Sequence, residues 1–251
     1  MIERTQEGSV VVLRLQHGKA SALDAELCDA LEAELVASAE QGRAVVLTGT
    51  GGIFSAGVDL LRVLDGGAAY LDRFLPALDS LLRRLFLYPL PVVAAINGHA
   101  LAGGWVVACA ADYRVLTSNP AKLGLPELQV GVPFPPMAME TVRFATPASA
   151  LGRLVLAARI VGPEEAQRLG LVDEVVAPDE VVARATTVAA ELGRVPPEAF
   201  RLTKLQLRAP FAERAAAAVE TVAAVRAQWA APETAAIVRA YLDRTLGKKS
   251  S

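Results

Sequence analysis

Two glycine-bearing loops carry the residues whose types and spacing best suit chemistry: 55–60, which contains Gly57, and 97–104, which contains Gly98, Gly103 and Gly104. Each follows an apolar run that reads as a buried strand, and glycine there lets backbone N–H groups approach a ligand closely. Neither loop is a phosphate motif, because GxxxxGKS or GxxxxGKT is absent and the glycine spacing does not fit GxGxxG. From the residues alone, ligand recognition by backbone amides and tight turns without function both stay open. Histidine titrates near neutrality, which makes His99 a candidate acid–base group, yet a lone turn histidine is more often a hydrogen-bonded structural residue, and His17 carries less weight still. Glu127 follows Pro126 in a loop and by composition is an exposed glutamate; Glu140, on a helix after Pro136, is an alternative acid, although helix glutamates usually face solvent. Trp105 and Trp229 read as packing residues, with Trp105 also a candidate pocket wall. Cys28 and Cys109 show neither metal-ligand spacing nor a disulfide framework and are expected to be buried, reduced thiols.

Strands and helices must hold those loops. Residues 10–15 are apolar and β-branched around Arg14 and read as an edge strand, and Leu23, Leu27, Leu31 and Leu35 mark an amphipathic helix over 23–39. Residues 44–48 form a short apolar run, a strand buried on both faces. A helix is predicted over 70–87, ending before Pro89 and Pro91, followed by a buried strand at 92–96 and a turn at Asn97-Gly98-His99. Gly103 opens a buried helix through Ala111, and strand character resumes at 113–116. Strand, loop, helix and strand in repetition imply crossover units on a parallel sheet. Beyond Ala145 the pattern is mostly helical, over 147–157, 163–169, 178–192, 196–207, 212–229 and 232–246, and several segments carry Pro in the first turn. The expected organisation is a core domain, 1–195, and a C-terminal helical extension, 196–251, whose Ala-rich faces must pack on the body or on a neighbouring subunit.

Composition narrows the function classes. Of 251 residues, 53% are hydrophobic and 21% charged, which excludes disorder. A net charge of -2 offers no electrostatic footprint for nucleic acid, and Lys248 and Lys249 read as a solvated chain end. The N-terminus has no apolar signal core, and the apolar run 91–111 is interrupted by Asn97 and His99, so no membrane span and a soluble, cytoplasmic protein are expected.

Phe54-Ser55-Ala56-Gly57-Val58-Asp59-Leu60, Ile96-Asn97-Gly98-His99-Ala100-Leu101-Ala102-Gly103-Gly104 and Gly124-Leu125-Pro126-Glu127-Leu128-Gln129-Val130-Gly131 resemble successive blocks of the crotonase (enoyl-CoA hydratase/isomerase) superfamily, in order and spacing. The likeness runs from Ala20-Ser21-Ala22-Leu23-Asp24 to Gly170-Leu171-Val172-Asp173-Glu174-Val175-Val176. It implies an α/β spiral of ββα units with the helical extension, assembled as a homotrimer or dimer of trimers. It also implies an acyl-CoA thioester as substrate, with coenzyme A part of that substrate and no metal or redox cofactor. By the same resemblance the N–H groups of Val58 and Gly103 form an oxyanion hole, and Lys19, Ala20, Ala56, Asp59 and Leu60 lie along the CoA. A helix N-terminus suits an oxygen that gains negative charge.

Hydratases of this family resemble one another in using two carboxylates; here the first position is Val106 and the second Glu127. One carboxylate suffices for a proton shift, and the pattern resembles that of mitochondrial-type Δ3,Δ2-enoyl-CoA isomerases, with Glu127 as the single acid–base group. Dienoyl-CoA isomerases would place an aspartate at Pro135 and are disfavoured. Hydration, thioester hydrolysis, decarboxylation and non-catalytic acyl-CoA binding are the alternatives.

Overall fold

Short apolar runs supply the central strands of the larger sheet, as seen in a computed structural model that describes residues 1–246; Lys248 and Lys249 lie outside the described residues. Strands β1 (Ile2–Glu7) and β2 (Val10–Leu15) pair antiparallel around a turn in which Gly8 takes φ 60°, and β2 then pairs in parallel with β3 (Ala44–Thr48). The sheet continues in parallel through β5 (Val92–Ile96), β7 (Tyr113–Thr117) and β10 (Glu174–Val176). The segment 10–15 is therefore not the edge: β1 covers it. The sequence of β1, IERTQE, holds a single apolar residue and so carries no hydrophobic pattern.

A second sheet runs β4 (Ile53–Ser55), β6 (His99–Leu101), β8 (Leu123–Gly124), β9 (Ile160–Val161). Each turn of the chain lays one strand in the larger sheet and the next in the smaller: β3 then β4, β5 then β6, β7 then β8. Helix α2 (Leu60–Phe86) leads from β4 back to β5 and α3 (Gly103–Ala110) from β6 back to β7, which gives the expected ββα units. The small-sheet strands are two or three residues long, too short for a period-2 pattern. His99, expected in a turn, consequently begins β6.

Helix α1 (Ala25–Gln41) starts at Asp24, whose Oδ1 accepts from Leu27 N at 2.7 Å, and buries Leu27, Leu31 and Leu35. Helix α2 starts ten residues before the predicted helix, and Gly67 breaks it at φ 53°, ψ -145°. One face of the larger sheet joins α1, α2 and α3 in the main core. The other face, with Val10, Val12, Val46, Val93 and Val115, is covered by Val181, Ala185, Val188 and Ala189 of α7 (Val181–Leu192). Burial on both sides explains why the central strands are apolar throughout.

Between these lie α4 (Pro136–Ala145), α5 (Ala148–Leu156) and α6 (Pro163–Arg168). The C-terminal helices are α8 (Pro197–Ala217), α9 (Val219–Trp229) and α10 (Pro232–Leu246). The break between α8 and α9 falls at Ala218 rather than in 208–211, and Pro210 sits inside α8. All three helices pack on the chain's own body. Among the described residues no helix is long and apolar enough to cross a membrane.

Candidate active site

The first glycine loop is stitched to the segment before α1. Ala56 N donates to Ala20 O at 3.0 Å, Leu23 N to Gly57 O at 2.7 Å and Asp59 N to Leu23 O at 2.9 Å. Ser55 Oγ donates to Ser21 O at 2.7 Å and accepts from Gly57 N at 3.2 Å. Lys19 and Ala20 thus lie beside Ala56 to Leu60, the neighbourhood expected for the CoA segment. Lys19 is exposed, and Ala56 and Leu60 line a partly open cavity. The Asp59 side chain is structural, since its Oδ1 caps α2 by accepting from Arg62 N at 3.1 Å.

The second loop meets the first edge to edge. Ala102 adopts φ 49°, ψ -129°, a conformation that costs a residue with a Cβ on the order of 1–3 kcal/mol, and it turns the chain so that Gly103 begins α3. Gly57 sits at φ 90°, and a Cβ there would lie 2.7 Å from both Ala102 Cβ and Leu101 O, so only glycine fits. A Cβ on Gly103 would lie 3.5 Å from Val58 Cγ2, which makes these two residues neighbours. Among the described residues, neither the Val58 nor the Gly103 amide donates to an intramolecular acceptor. Both residues line the cavity, and Gly103 adds the positive end of the α3 dipole.

Glu127 opens a 3₁₀ turn, Glu127–Val130, closed by Gly131 at φ 74°. Its backbone carbonyl accepts from Val132 N at 3.1 Å, and α10 lies over the turn, with Ile237 against Gly131. The residue is 7% exposed, and Oε2 is buried with no hydrogen-bond partner. The exposure expected from composition is therefore overturned. Burial pushes the carboxyl up to about 8, since no nearby cation favours the charged form. It lines the same cavity as Val58, Gly103 and Val106, together with Phe134 and Trp229. Among the side chains lining that cavity, Glu127 is the sole carboxylate.

The other candidates lie elsewhere. His99 Nδ1 accepts from Lys122 N at 3.0 Å, a structural bond. Glu140 is buried rather than solvent-facing, but Arg214 holds its Oε2 at 2.7 Å and Arg143 its Oε1 at 3.2 Å, away from the cavity. Trp105 is buried in the core and does not line the cavity, so it is no pocket wall. The wall is instead Trp229, with Tyr241 from α10. Sequence reasoning missed both as site residues, because their Ala-rich helices carry no pattern pointing toward Glu127. Cys28 and Cys109 are buried free thiols, and burial raises Cys109 to about 12. Among the described residues no group of three or more His, Cys, Asp or Glu side chains is placed to hold a metal ion.

Known proteins resemble this chain in sequence and in fold. Residues 5–243 match the family model described as Enoyl-CoA hydratase/isomerase. A Thermus thermophilus protein named "Putative enoyl-CoA hydratase" is 40% identical over 165 residues, 64% of this chain and 64% of its own length, so the match spans just under two thirds of that relative. Human enoyl-CoA delta isomerase 1, mitochondrial, is 31% identical over 218 residues, 85% of this chain and 72% of that protein. The crystal structure of human mitochondrial delta3-delta2-enoyl-CoA isomerase superposes with a TM-score of 0.94 at 28% identity, covering 100% of this chain and 99% of that one. The fold is thus the crotonase-like α/β spiral that the sequence blocks implied.

Proposed function

The chain belongs to the enoyl-CoA hydratase/isomerase family, and from that premise we propose that it moves the double bond of a 3-enoyl-CoA to the 2-position, with Glu127 as the single acid–base group. One observation carries this reading: a buried carboxylate with one unpartnered oxygen shares its cavity with two free amides, while Val106 supplies no second carboxylate.

In the proposed reaction, ionised Glu127 removes a proton from C2 of the acyl chain. The C–H electron pair forms a C1–C2 double bond as the carbonyl pair moves onto the thioester oxygen, giving a dienolate; on its collapse the C1–C2 pair becomes the C2–C3 double bond of the product and the C3–C4 pair takes a proton at C4. The Val58 and Gly103 amides form the oxyanion hole for that oxygen; one such donor is worth about 10²–10³ in rate. The carboxyl of Glu127 then returns its proton to C4. Atoms balance without metal or redox cofactor, and coenzyme A is part of the substrate. Lys19, Ala20, Ala56, Asp59 and Leu60 are the segment along which the CoA would run. Exposed Leu128, Leu156 and Val219 suit the subunit contacts of a homotrimer or dimer of trimers.

Hydration is the competing reading, favoured by the name of the Thermus thermophilus relative. Against it stands Val106, which cannot position water opposite Glu127. Purified protein is to be given a 3-enoyl-CoA while the conjugated 2-enoyl thioester is followed, with hydration of a 2-enoyl-CoA measured alongside. Isomerisation much faster than hydration supports the proposal. Faster hydration overturns it in favour of the second reading, and turnover of neither overturns it in favour of another crotonase reaction or a binding role.

A further inference from the structure

A second chamber adjoins the reacting cavity. Its walls are Val63, Leu64, Ala68 and Leu71 from the first part of α2 and Ala235 and Val238 from α10, and it sits where the break at Gly67 bends α2. Leu60, Val132 and Trp229 line both spaces and so form the partition between them. Trp229 is the largest of the three, 5% exposed, and its Nε1 donates to Pro133 O at 2.9 Å. The turn that follows it is clamped as well: Gln228 Nε2 donates to Thr234 Oγ1 at 3.0 Å, and Thr234 Oγ1 donates to Gln228 O at 2.7 Å. The indole therefore cannot swing aside without breaking its own bond.

The chamber has a volume of about 60 Å³, several times what a water needs. Thr234 brings the sole side-chain hydroxyl among its lining residues, and that hydroxyl is already engaged. Space of this kind stays dry and takes apolar groups.

We propose that Trp229 sets the acyl chain length accepted, by closing the reacting cavity off from an apolar chamber that a longer tail enters only when the partition is thinned. The inference rests on the acyl-CoA reading of the site. A buried methylene is worth roughly fourfold in affinity, so a tail stopped by a wall shows a plateau where an open tunnel shows a continued rise.

The test is calorimetric binding of saturated straight-chain acyl-CoAs from butanoyl to tetradecanoyl, which needs no turnover. For the unaltered protein, affinity is expected to rise with length and then level off. Trp229→Leu should carry the rise on by at least two further methylenes, roughly tenfold or more, and adding Ala235→Leu should cancel that gain by filling the chamber. Val132→Ala thins the same partition while leaving the Trp229–Pro133 bond in place, and should give a smaller extension in the same direction. An unbroken rise in the unaltered protein, or an unchanged plateau in folded Trp229→Leu and Val132→Ala, overturns the proposal. Acyl-CoA binding with this pattern but no isomerisation would sink the catalytic reading and leave this one standing.

Discussion

Arg208 Nη1 donates to the carbonyl oxygen of Ala110 at 2.7 Å, which sets a buried guanidinium from α8 against the C-terminal end of the helix that Gly103 begins. The same group reaches Ala111 O at 3.1 Å and Phe86 O at 2.9 Å, satisfying carbonyls at the ends of α2 and α3 that would otherwise be orphaned. Asp112 Oδ1 lies 2.9 Å from Arg208 Nη2, and Asp112 Oδ2 lies 2.7 Å from Lys204 Nζ. The far end of the helix that presents the Gly103 amide is thus held by one carboxylate shared between two buried cations.

Asp112→Asn should cost about 3–5 kcal/mol in stability, because both cations stay buried without their counter-charge. Burial already brings Lys204 down to about 8 against the pull of Asp112. Without that pull it falls further, so the variant sheds the Lys204 proton first, and the penalty should shrink as pH rises toward 8 and level off above it. Urea unfolding at pH 7 and pH 9 checks this; an equal loss at both would mean that Lys204 is not part of the cost.

Glu127 must be ionised to act as base, and its carboxyl is raised from 4.5 to about 8 by burial. The expected kcat/KM for isomerisation therefore climbs with pH through an apparent pKa near 8, and Glu127→Gln should lower kcat by about 10²–10⁴. Stability moves the opposite way. The folded state holds this proton more tightly than the unfolded chain, so its contribution is full below 4.5 and is lost as pH rises toward 8, by about 1.4 kcal/mol per pH unit. Glu127→Gln should lack that slope. A flat rate profile between pH 6 and 9 would remove Glu127 as the base.

How much of this was legible in the sequence depends on segment length and on what a side chain meets in space. The five-residue runs of β3 and β5, the leucine spacing of α1 and the apolar helix α3 carry enough periodicity or hydrophobicity to be recognised locally. Strands β4, β6, β8 and β9 do not, because pairing with distant partners, not local pattern, makes them strands. The glycines of both loops marked a place of close backbone packing, but only the family resemblance singled out Val58 and Gly103 there. The burial of Glu127 was invisible to composition, since it comes from α10 and the wall at Trp229 folding back over a loop more than a hundred residues upstream. Asp59 was matched to the CoA segment through its backbone, and the capping role of its side chain is signalled by its place before α2 once the start of α2 is known.

Val106 occupies the cavity wall where a hydratase of this family would present its first carboxylate. Val106→Glu should raise the ratio of hydration to isomerisation by about 10², the low end of general acid–base assistance, as a second carboxylate positions water opposite Glu127. It should also lower stability by ~2 kcal/mol or more, because Val106 is 1% exposed and its surroundings offer no cation. Parallel assays of the two reactions on one preparation check the ratio; an unchanged ratio in a folded variant would show that Val106 does not decide between them.

Ala102 is the residue whose strain the chain tolerates to aim the Gly103 amide. At φ 49°, ψ -129° its Cβ is crowded by its own backbone, and glycine would be free of that cost. Ala102→Gly therefore exchanges about 1–3 kcal/mol of strain for about 0.5–1 kcal/mol of added chain entropy in the unfolded state, a net gain in stability of about 1 kcal/mol. The same freedom loosens the amide that would meet the thioester oxygen, so kcat should fall while the melting temperature rises. Thermal unfolding and kcat measured together check both halves: a lower melting temperature means that the strain is relieved by contacts around Ala102, and an unchanged kcat means that α3 holds the amide without help from this residue.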